Sequence, residues 1–103
     1  MILIDDLELD MLSRRARRAG KPLDLTAKEF ALLAILAQGQ SRILSKGTIA
    51  ELAWGIGFDS NTKVVETAIN RLSVKIDGPG QNKLLHTVRG MGYALAHRPG
   101  ERS

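Results

Sequence analysis

The sequence predicts an α+β domain with a small amino-terminal antiparallel sheet, three helices and a carboxy-terminal β-hairpin. Three observations support this: short alternating segments up to residue 25, capped apolar runs between residues 26 and 78, and two glycine-broken strand-like segments between about residues 84 and 96. At 103 residues and 44% apolar composition, the chain can form one core but not two. We therefore expect one domain over residues 1–97 and a flexible tail over residues 98–103.

The amino-terminal sheet is predicted over about residues 1–25. Apolar and polar residues alternate in segments 7–9 and 22–25, and Gly20 with Lys21 signals a turn. This region also contains a basic run formed by Arg14, Arg15, Arg17 and Arg18. We interpret that run as an exposed strand whose charges discourage edge pairing, and a nucleic-acid patch is the alternative.

Two helices are predicted before residue 55 from their start and stop signals. Thr26 and Glu29 have the spacing of a capping box, in which each side chain accepts a backbone N–H of the other residue. The first helix is apolar on most sides until Gly39 stops it, so we expect it to be central and buried. A shorter helix should begin at Ser45, and segment 55–61 should be a loop.

The third predicted helix has two chemically different faces. At about 100° per residue, its expected core face consists of Val65, Ile69, Leu72 and Ile76. The opposite face carries Lys63, Thr67, Asn70 and Val74, with Glu66 and Arg71 beside it. Such a helix can enter a major groove, where Asn70 could pair with adenine, Arg71 with guanine and the Thr67 methyl with thymine. A plain solvated helix is the alternative, because Lys and Arg are ordinary surface residues.

The segment from Leu85 to Tyr93 is predicted to form two strands with Arg89 at the tip of their turn. A hairpin this small must rest on a neighbouring core. The glycines beyond Arg89 remove side chains where another backbone could come close. Three helices followed by a hairpin match the helix-turn-helix plan with a wing. An arginine on a rigid ribbon fits the narrow groove of DNA, and a solvated hairpin tip is the alternative.

Charge is unevenly distributed, although the formal net charge is only +4. Residues 1–12 contain four carboxylates and no Lys or Arg, whereas residues 61–103 contain seven Lys or Arg against three acids. The basic half would approach a polyanion while the acidic end faces away.

Several classes of function are not expected. The chain has no cysteine, and His86 and His97 lack partners at ligand spacing, so we expect no disulfide and no metal site. No nucleophile motif or phosphate-cradling glycine loop is present, so we expect neither an enzyme nor a bound cofactor. The sequence shows no signal peptide, and no apolar stretch approaches the length of roughly 20 residues that a membrane span needs. We therefore expect a cytoplasmic protein that does not contact the membrane.

Four motifs occur in order with short gaps between them. They are Leu25-Thr26-x-x-Glu29-Phe30-x-Leu32-Leu33, Ala53-Trp54-Gly55, Ile69-x-Arg71-Leu72 with Lys75-Ile76-Asp77, and Thr87-Val88-Arg89-Gly90-x-Gly92-Tyr93. Over about residues 7–96 the chain thereby resembles the OmpR/PhoB family, the winged-helix DNA-binding effector domains of bacterial two-component response regulators. Segments 58–62 and 83–90 are most similar to its copper and heavy-metal-responsive branch.

The resemblance implies a four-stranded amino-terminal sheet and a set of DNA contacts. By motif position, the candidate contacts are Trp54, Thr62, Lys63, Thr67, Ala68, Asn70, Arg71, Ser73, Lys75, Thr87, Arg89 and Tyr93. Core packing is the alternative role for Trp54 and Tyr93. Asn70 and Ser73 stand where members usually carry arginine, which removes possible phosphate cations. The segment that touches RNA polymerase corresponds to Gly55, Ile56, Gly57, Phe58, Asp59, Ser60 and Asn61.

The resemblance also implies partners and assembly. The family's receiver domain, with its phosphorylated aspartate, is missing from this chain, so we expect an excised effector domain rather than a receiver-less protein. The domain should be a monomer alone and a head-to-tail pair on a direct repeat of double-stranded DNA, with RNA polymerase as a further partner. The alternative is a winged-helix module that docks a protein without reading DNA, although such a face would favour aromatic anchors over Lys63, Asn70 and Arg71.

Overall fold

The structure, a computed structural model, describes residues 1–39, 42–55, 62–78 and 81–96. Its elements in chain order are β1 (Ile2–Ile4), β2 (Leu7–Asp10), β3 (Arg15–Arg18), β4 (Lys21–Pro22), α1 (Ala27–Gln38), α2 (Lys46–Trp54), α3 (Thr62–Ile76), β5 (Leu85–Val88) and β6 (Gly92–Leu95). Strands β1 to β4 form one antiparallel sheet in sequence order, and β5 pairs with β6. The predicted α+β winged helix-turn-helix fold is confirmed. The predicted tail at 98–103 lies outside the described residues.

The amino-terminal sheet separates a core face from an outer face by simple alternation. Leu7, Leu9 and Ala16 are buried against the helices. Glu8 and Arg17, paired across β2 and β3, lie on the opposite face because successive side chains of a strand point to opposite sides. The sheet therefore covers one side of the helical core.

Arg18 contradicts the expectation that the basic run lies on an exposed strand. Arg15 and Arg17 are exposed, but Arg18 falls on the core face of β3 and only 1% of its side chain is accessible. Its charge is compensated by ion pairs with Asp6, at 2.5 Å, and Asp77, at 3.2 Å. The expectation failed because a run of arginines hides the alternation that the small Ala16 would otherwise reveal.

The helices begin where the capping signals predict. Thr26 Oγ1 accepts the Glu29 N–H at 3.1 Å, and Glu29 Oε1 accepts the Thr26 N–H at 2.9 Å, which confirms the capping box. The buried side chains of α1 include Phe30, Leu32, Leu33 and Leu36, so this helix is central. Ser45 caps α2 by accepting the Thr48 N–H at 3.1 Å. The apolar stripe predicted for α3, namely Val65, Ile69, Leu72 and Ile76, is buried throughout.

The wing, formed by β5 and β6, rests on the chain between α1 and α2. Leu44 and Tyr93 exchange two backbone hydrogen bonds of 2.8 and 2.9 Å. Gly92 has a φ of 141°, and a Cβ there would collide with the Leu44 carbonyl oxygen. The close approach of another backbone that the wing glycines predicted is therefore confirmed at Gly92. Gly90, with a φ of 76° and open space around it, serves the turn instead.

Candidate nucleic-acid interface

The outer face of α3 is open to solvent. Its exposed side chains are Lys63, Thr67, Asn70, Arg71 and Val74. Val74 is 78% exposed at the carboxy-terminal end of this face. Ala68 and Ser73 are half-buried at its edges, and the side chain of Thr62 lies outside what the structure describes. The side opposite the buried apolar stripe therefore remains available for a partner.

A shallow groove runs along one flank of α3 and carries cations from two helices. Its lining includes Lys28, Trp54, Lys63, Thr67 and Arg71. The Lys28 ammonium lies 4.8 Å from the centre of the half-buried Trp54 ring and donates to the Ala53 carbonyl oxygen at 2.6 Å. Lys28 was missing from the predicted site, because its place inside the capping box does not show that it reaches the end of α2.

On the other flank, Lys46 joins α3 to the wing. The Lys46 ammonium donates to Glu66 Oε2 of α3 at 2.6 Å, and Lys46 also lines a cleft bounded by wing residues 87–92. This hydrogen bond raises the pKa of Lys46 and lowers the pKa of Glu66. The wing and the outer face of α3 therefore adjoin each other across Lys46.

The predicted wing contacts differ in their exposure. Thr87 and Arg89 are exposed, Arg89 at the turn beyond β5. Tyr93 is only 4% exposed, which agrees with the core-packing alternative. Burial raises the pKa of the Tyr93 phenol, Lys46 lowers it and Glu66 raises it, so both charges act on this ring. Thr87 and Arg89 are thus the wing residues best placed to meet a ligand.

Lys75 has an intramolecular role. Its ammonium donates to Glu29 Oε1 at 2.7 Å and to the Asp24 carbonyl oxygen at 2.9 Å, which ties the end of α3 to the start of α1. Burial opposes ionisation of Glu29, but hydrogen bonds from Lys75 and the Thr26 N–H outweigh it, so the pKa of Glu29 lies below its usual value. The ammonium of Lys75 is therefore engaged within the protein, contrary to its predicted role as a DNA contact.

Part of the predicted site lies outside the described residues. In the predicted polymerase-contact segment, Gly55 ends α2 with a φ of 110°, and Ile56, Gly57, Phe58, Asp59, Ser60 and Asn61 lie outside the described residues. His97 also lies outside them. Within the described ranges, no group of three or more His, Asp or Glu side chains could hold a metal ion. No helix in those ranges is both long and apolar enough to cross a bilayer.

Comparison with known sequences identifies relatives over almost the whole chain. A family model described as "Transcriptional regulatory protein, C terminal" matches residues 20–95. Transcriptional activator protein IrlR of Burkholderia pseudomallei is 51% identical over 98 residues, covering 95% of this chain and 43% of IrlR. Transcriptional regulatory protein PcoR of Escherichia coli is 44% identical over 95 residues, covering 92% of this chain and 42% of PcoR. The chain thus spans less than half the length of these relatives.

Solved structures show the same fold. The DNA-binding domain of RstA from Klebsiella pneumoniae, in complex with the RstA box, has a TM-score of 0.83 at 26% identity, covering 94% of this chain and 97% of that one. The DNA-binding domain of CpxR from E. coli has a TM-score of 0.74 at 27% identity, covering 92% and 94%. The chain therefore belongs to the OmpR/PhoB-type family of carboxy-terminal domains of transcriptional regulatory proteins, a family of winged-helix DNA-binding domains and not of enzymes.

Proposed function

We propose that this domain binds double-stranded DNA sequence-specifically, with α3 in the major groove and Arg89 reaching an adjacent minor groove. The observation that supports this most is the position of Lys46, which contacts Glu66 of α3 and lines the cleft beside Arg89. One lysine thus contacts α3 and borders the wing that carries the exposed Arg89, which supports a single binding surface formed by both elements. A helix and an adjoining ribbon can straddle the phosphate backbone between two grooves of one duplex.

The chemistry of each side chain determines whether it would contact bases or phosphates. Thr67, Asn70 and Arg71 have the donors, acceptors and methyl group that distinguish base edges in the major groove. Lys63, Thr87 and the Lys28–Trp54 pair would contact phosphates, which supply affinity and its salt dependence. Ala68 and Ser73 lie at the edge of α3, where small side chains allow the DNA backbone to approach.

Further partners would bind the complete regulator, and we propose them because the chain belongs to this family. We propose that a receiver domain outside this chain controls two copies bound head-to-tail on a direct repeat. Segment 55–61 would contact RNA polymerase, and Leu52, 61% exposed on the preceding helix, could extend that contact. We also propose a cytoplasmic location and a place in the copper and heavy-metal-responsive branch.

Selection of bound duplexes from a random pool tests the proposed function, using the 103-residue chain. We expect an enriched direct repeat and, in titrations at two salt concentrations, an affinity that falls steeply with salt. No enrichment together with salt-independent binding would contradict DNA recognition and favour the protein-docking alternative.

Lys63→Ala provides a sharper test within the same experiment. It should weaken binding to every duplex and reduce the salt slope by about one unit, because one phosphate contact is lost. Lys21→Ala removes the same charge from exposed β4 and should leave the slope unchanged. Equal slopes for the two variants would remove Lys63 from the proposed interface.

A further inference from the structure

Arg18 is the one buried arginine among the described residues. In the sequence it precedes α3 by more than 40 residues. From β3 its guanidinium donates to Asp6 Oδ1 at 2.5 Å, to the Ile76 carbonyl oxygen, to Asp77 Oδ1 at 3.2 Å and to the Asn82 carbonyl oxygen at 2.5 Å. No polar side-chain atom buried in the described part of the protein lacks a hydrogen-bond partner. The charge is therefore fully accommodated.

Asp77 continues this network into the wing. Its Oδ1 accepts the Leu84 N–H at 2.8 Å, and its Oδ2 accepts the Leu85 N–H at 3.1 Å. Leu85 is the first residue of β5, and Ile76 is the last residue of α3. The pair formed by Arg18 and Asp77 thus bridges the end of α3 and the beginning of the wing, at the place where the chain passes from one to the other.

The chemistry of this pair suits positioning more than stabilisation. Burying an ion pair costs solvation energy that the attraction only roughly offsets. A guanidinium, however, holds several N–H donors in one rigid plane, so the directions of its acceptors are fixed relative to one another. Here those acceptors belong to the turn between β1 and β2, to α3 and to the segment entering the wing.

We propose that Arg18 and Asp77 are positioning residues for DNA recognition, which fix the wing relative to α3 so that Arg89 meets the minor groove while α3 occupies the major groove. The pair does not touch DNA itself. The proposal depends on the proposed function, because it concerns the geometry of two elements that act on one duplex.

Two variants weaken the pair in different ways. Arg18→Lys keeps the charge but cannot reach all the acceptors, and Asp77→Asn keeps the shape but loses the charge and one strong acceptor. Arg17→Met, on the exposed face of the same strand, is the matched control. Thermal melting first sets an assay temperature at which each protein is folded. If Asp77→Asn does not fold there, Arg18→Lys alone decides.

The readout is sensitivity to the minor groove of the selected operator. Replacing adenine by 2,6-diaminopurine at the wing position adds an amino group in the minor groove and leaves the major-groove edge unchanged. We expect this replacement to weaken operator binding by the wild-type chain and by Arg17→Met about tenfold. Arg18→Lys and Asp77→Asn should bind the unmodified operator about tenfold more weakly and respond to diaminopurine only about twofold.

The possible results separate the two proposals. Folded variants with a lower melting temperature but the full wild-type response to diaminopurine would overturn the positioning role, since a merely stabilising pair leaves the contact of Arg89 intact. A wild-type chain that selects no operator contradicts the proposed function first. Reduced sensitivity confined to Arg18→Lys and Asp77→Asn supports the inference.

Discussion

The wing and α3 are held to the protein by different kinds of contact. α3 is held through a stripe of buried side chains, and its outer face takes no part in that packing. The wing also buries side chains in the core, but it adds backbone contacts: the hydrogen bonds between Leu44 and Tyr93 and the close passage of Gly92 past Leu44. All four residues of β6 are buried. Folding and binding therefore use separate side chains in both elements, but in the wing the exposed Thr87 and Arg89 depend on a backbone that itself forms the attachment.

This difference predicts how each element responds to substitution. Changes on the outer face of α3 should alter affinity with little effect on stability. Changes at the base of the wing should alter both, because displacing the backbone also displaces Arg89. Four variants test the contrast, in order of decreasing expected effect.

Gly92→Ala should have the largest effect. A methyl group there meets the Leu44 carbonyl, and the φ of 141° is unfavourable for a residue with a side chain. We expect the free energy of unfolding to fall by about 3 kcal/mol, measured by denaturant titration. Gly90→Ala, with a positive φ but open space, should lose only about 1 kcal/mol. Equal losses would show that the collision is relieved by movement of the wing.

Arg71→Ala tests the helix side of the contrast. If Arg71 reads a base, the variant should lose about 1 to 3 kcal/mol of binding at one position of the operator. Its free energy of unfolding should change by less than about 0.5 kcal/mol, because the side chain is exposed. Titration against operators altered one base pair at a time gives the answer. A uniform loss on every sequence would make Arg71 a phosphate contact.

Glu29→Gln should have a moderate, pH-dependent effect on how α3 is fastened to α1. The pKa of Glu29 is lowered in the folded state, so ionised Glu29 contributes stability above its ordinary value of 4.5, lost as pH falls through the lower folded value. At pH 7 the variant should lose about 1 kcal/mol, since it keeps the cap but not the ion pair with Lys75. Below the folded pKa the difference should vanish. Unfolding curves across pH measure this, with the exposed Glu51→Gln as control. A difference in unfolding free energy that does not change with pH would show that the charge plays no part.

Lys28→Met should have the smallest effect. Methionine keeps apolar contact with Trp54 but removes the charge, so the slope of log affinity against log salt should fall by about 0.9. Stability should hardly change, because Lys28 is exposed. Lys21→Met is the matched control on the sheet. A slope identical to that of the wild type would show that no phosphate reaches this groove.

Local sequence patterns predicted much of this structure. The capping box at Thr26 and Glu29, the two faces of α3 and the glycine at the base of the wing follow from spacings of a few residues, and all are present. Such features depend on backbone geometry that neighbouring residues determine. The same holds for the exposed polar residues of α3.

The features that the sequence did not reveal join residues distant in the chain. Arg18 contacts Asp77, 59 positions away, and Lys75 contacts Glu29, 46 positions away. Lys28 reaches the carbonyl of Ala53, 25 positions along the chain. The sequence predicted an exposed strand for Arg18 and a DNA contact for Lys75, and it did not single out Lys28. Only the packing of α3 against the sheet and α1, and of α1 against α2, brings these partners into range.

Val74 has a consequence for the chemistry of the operator. With α3 in the major groove as proposed, its isopropyl group has no hydrogen bond to offer and can favour only another apolar group on a base. The methyl of thymine and the methyl that modification enzymes add at carbon 5 of cytosine occupy the same place on a pyrimidine. A base pair opposite Val74 would then be read by its methylation, so enzymatic methylation of a cytosine there would strengthen binding without any change of sequence.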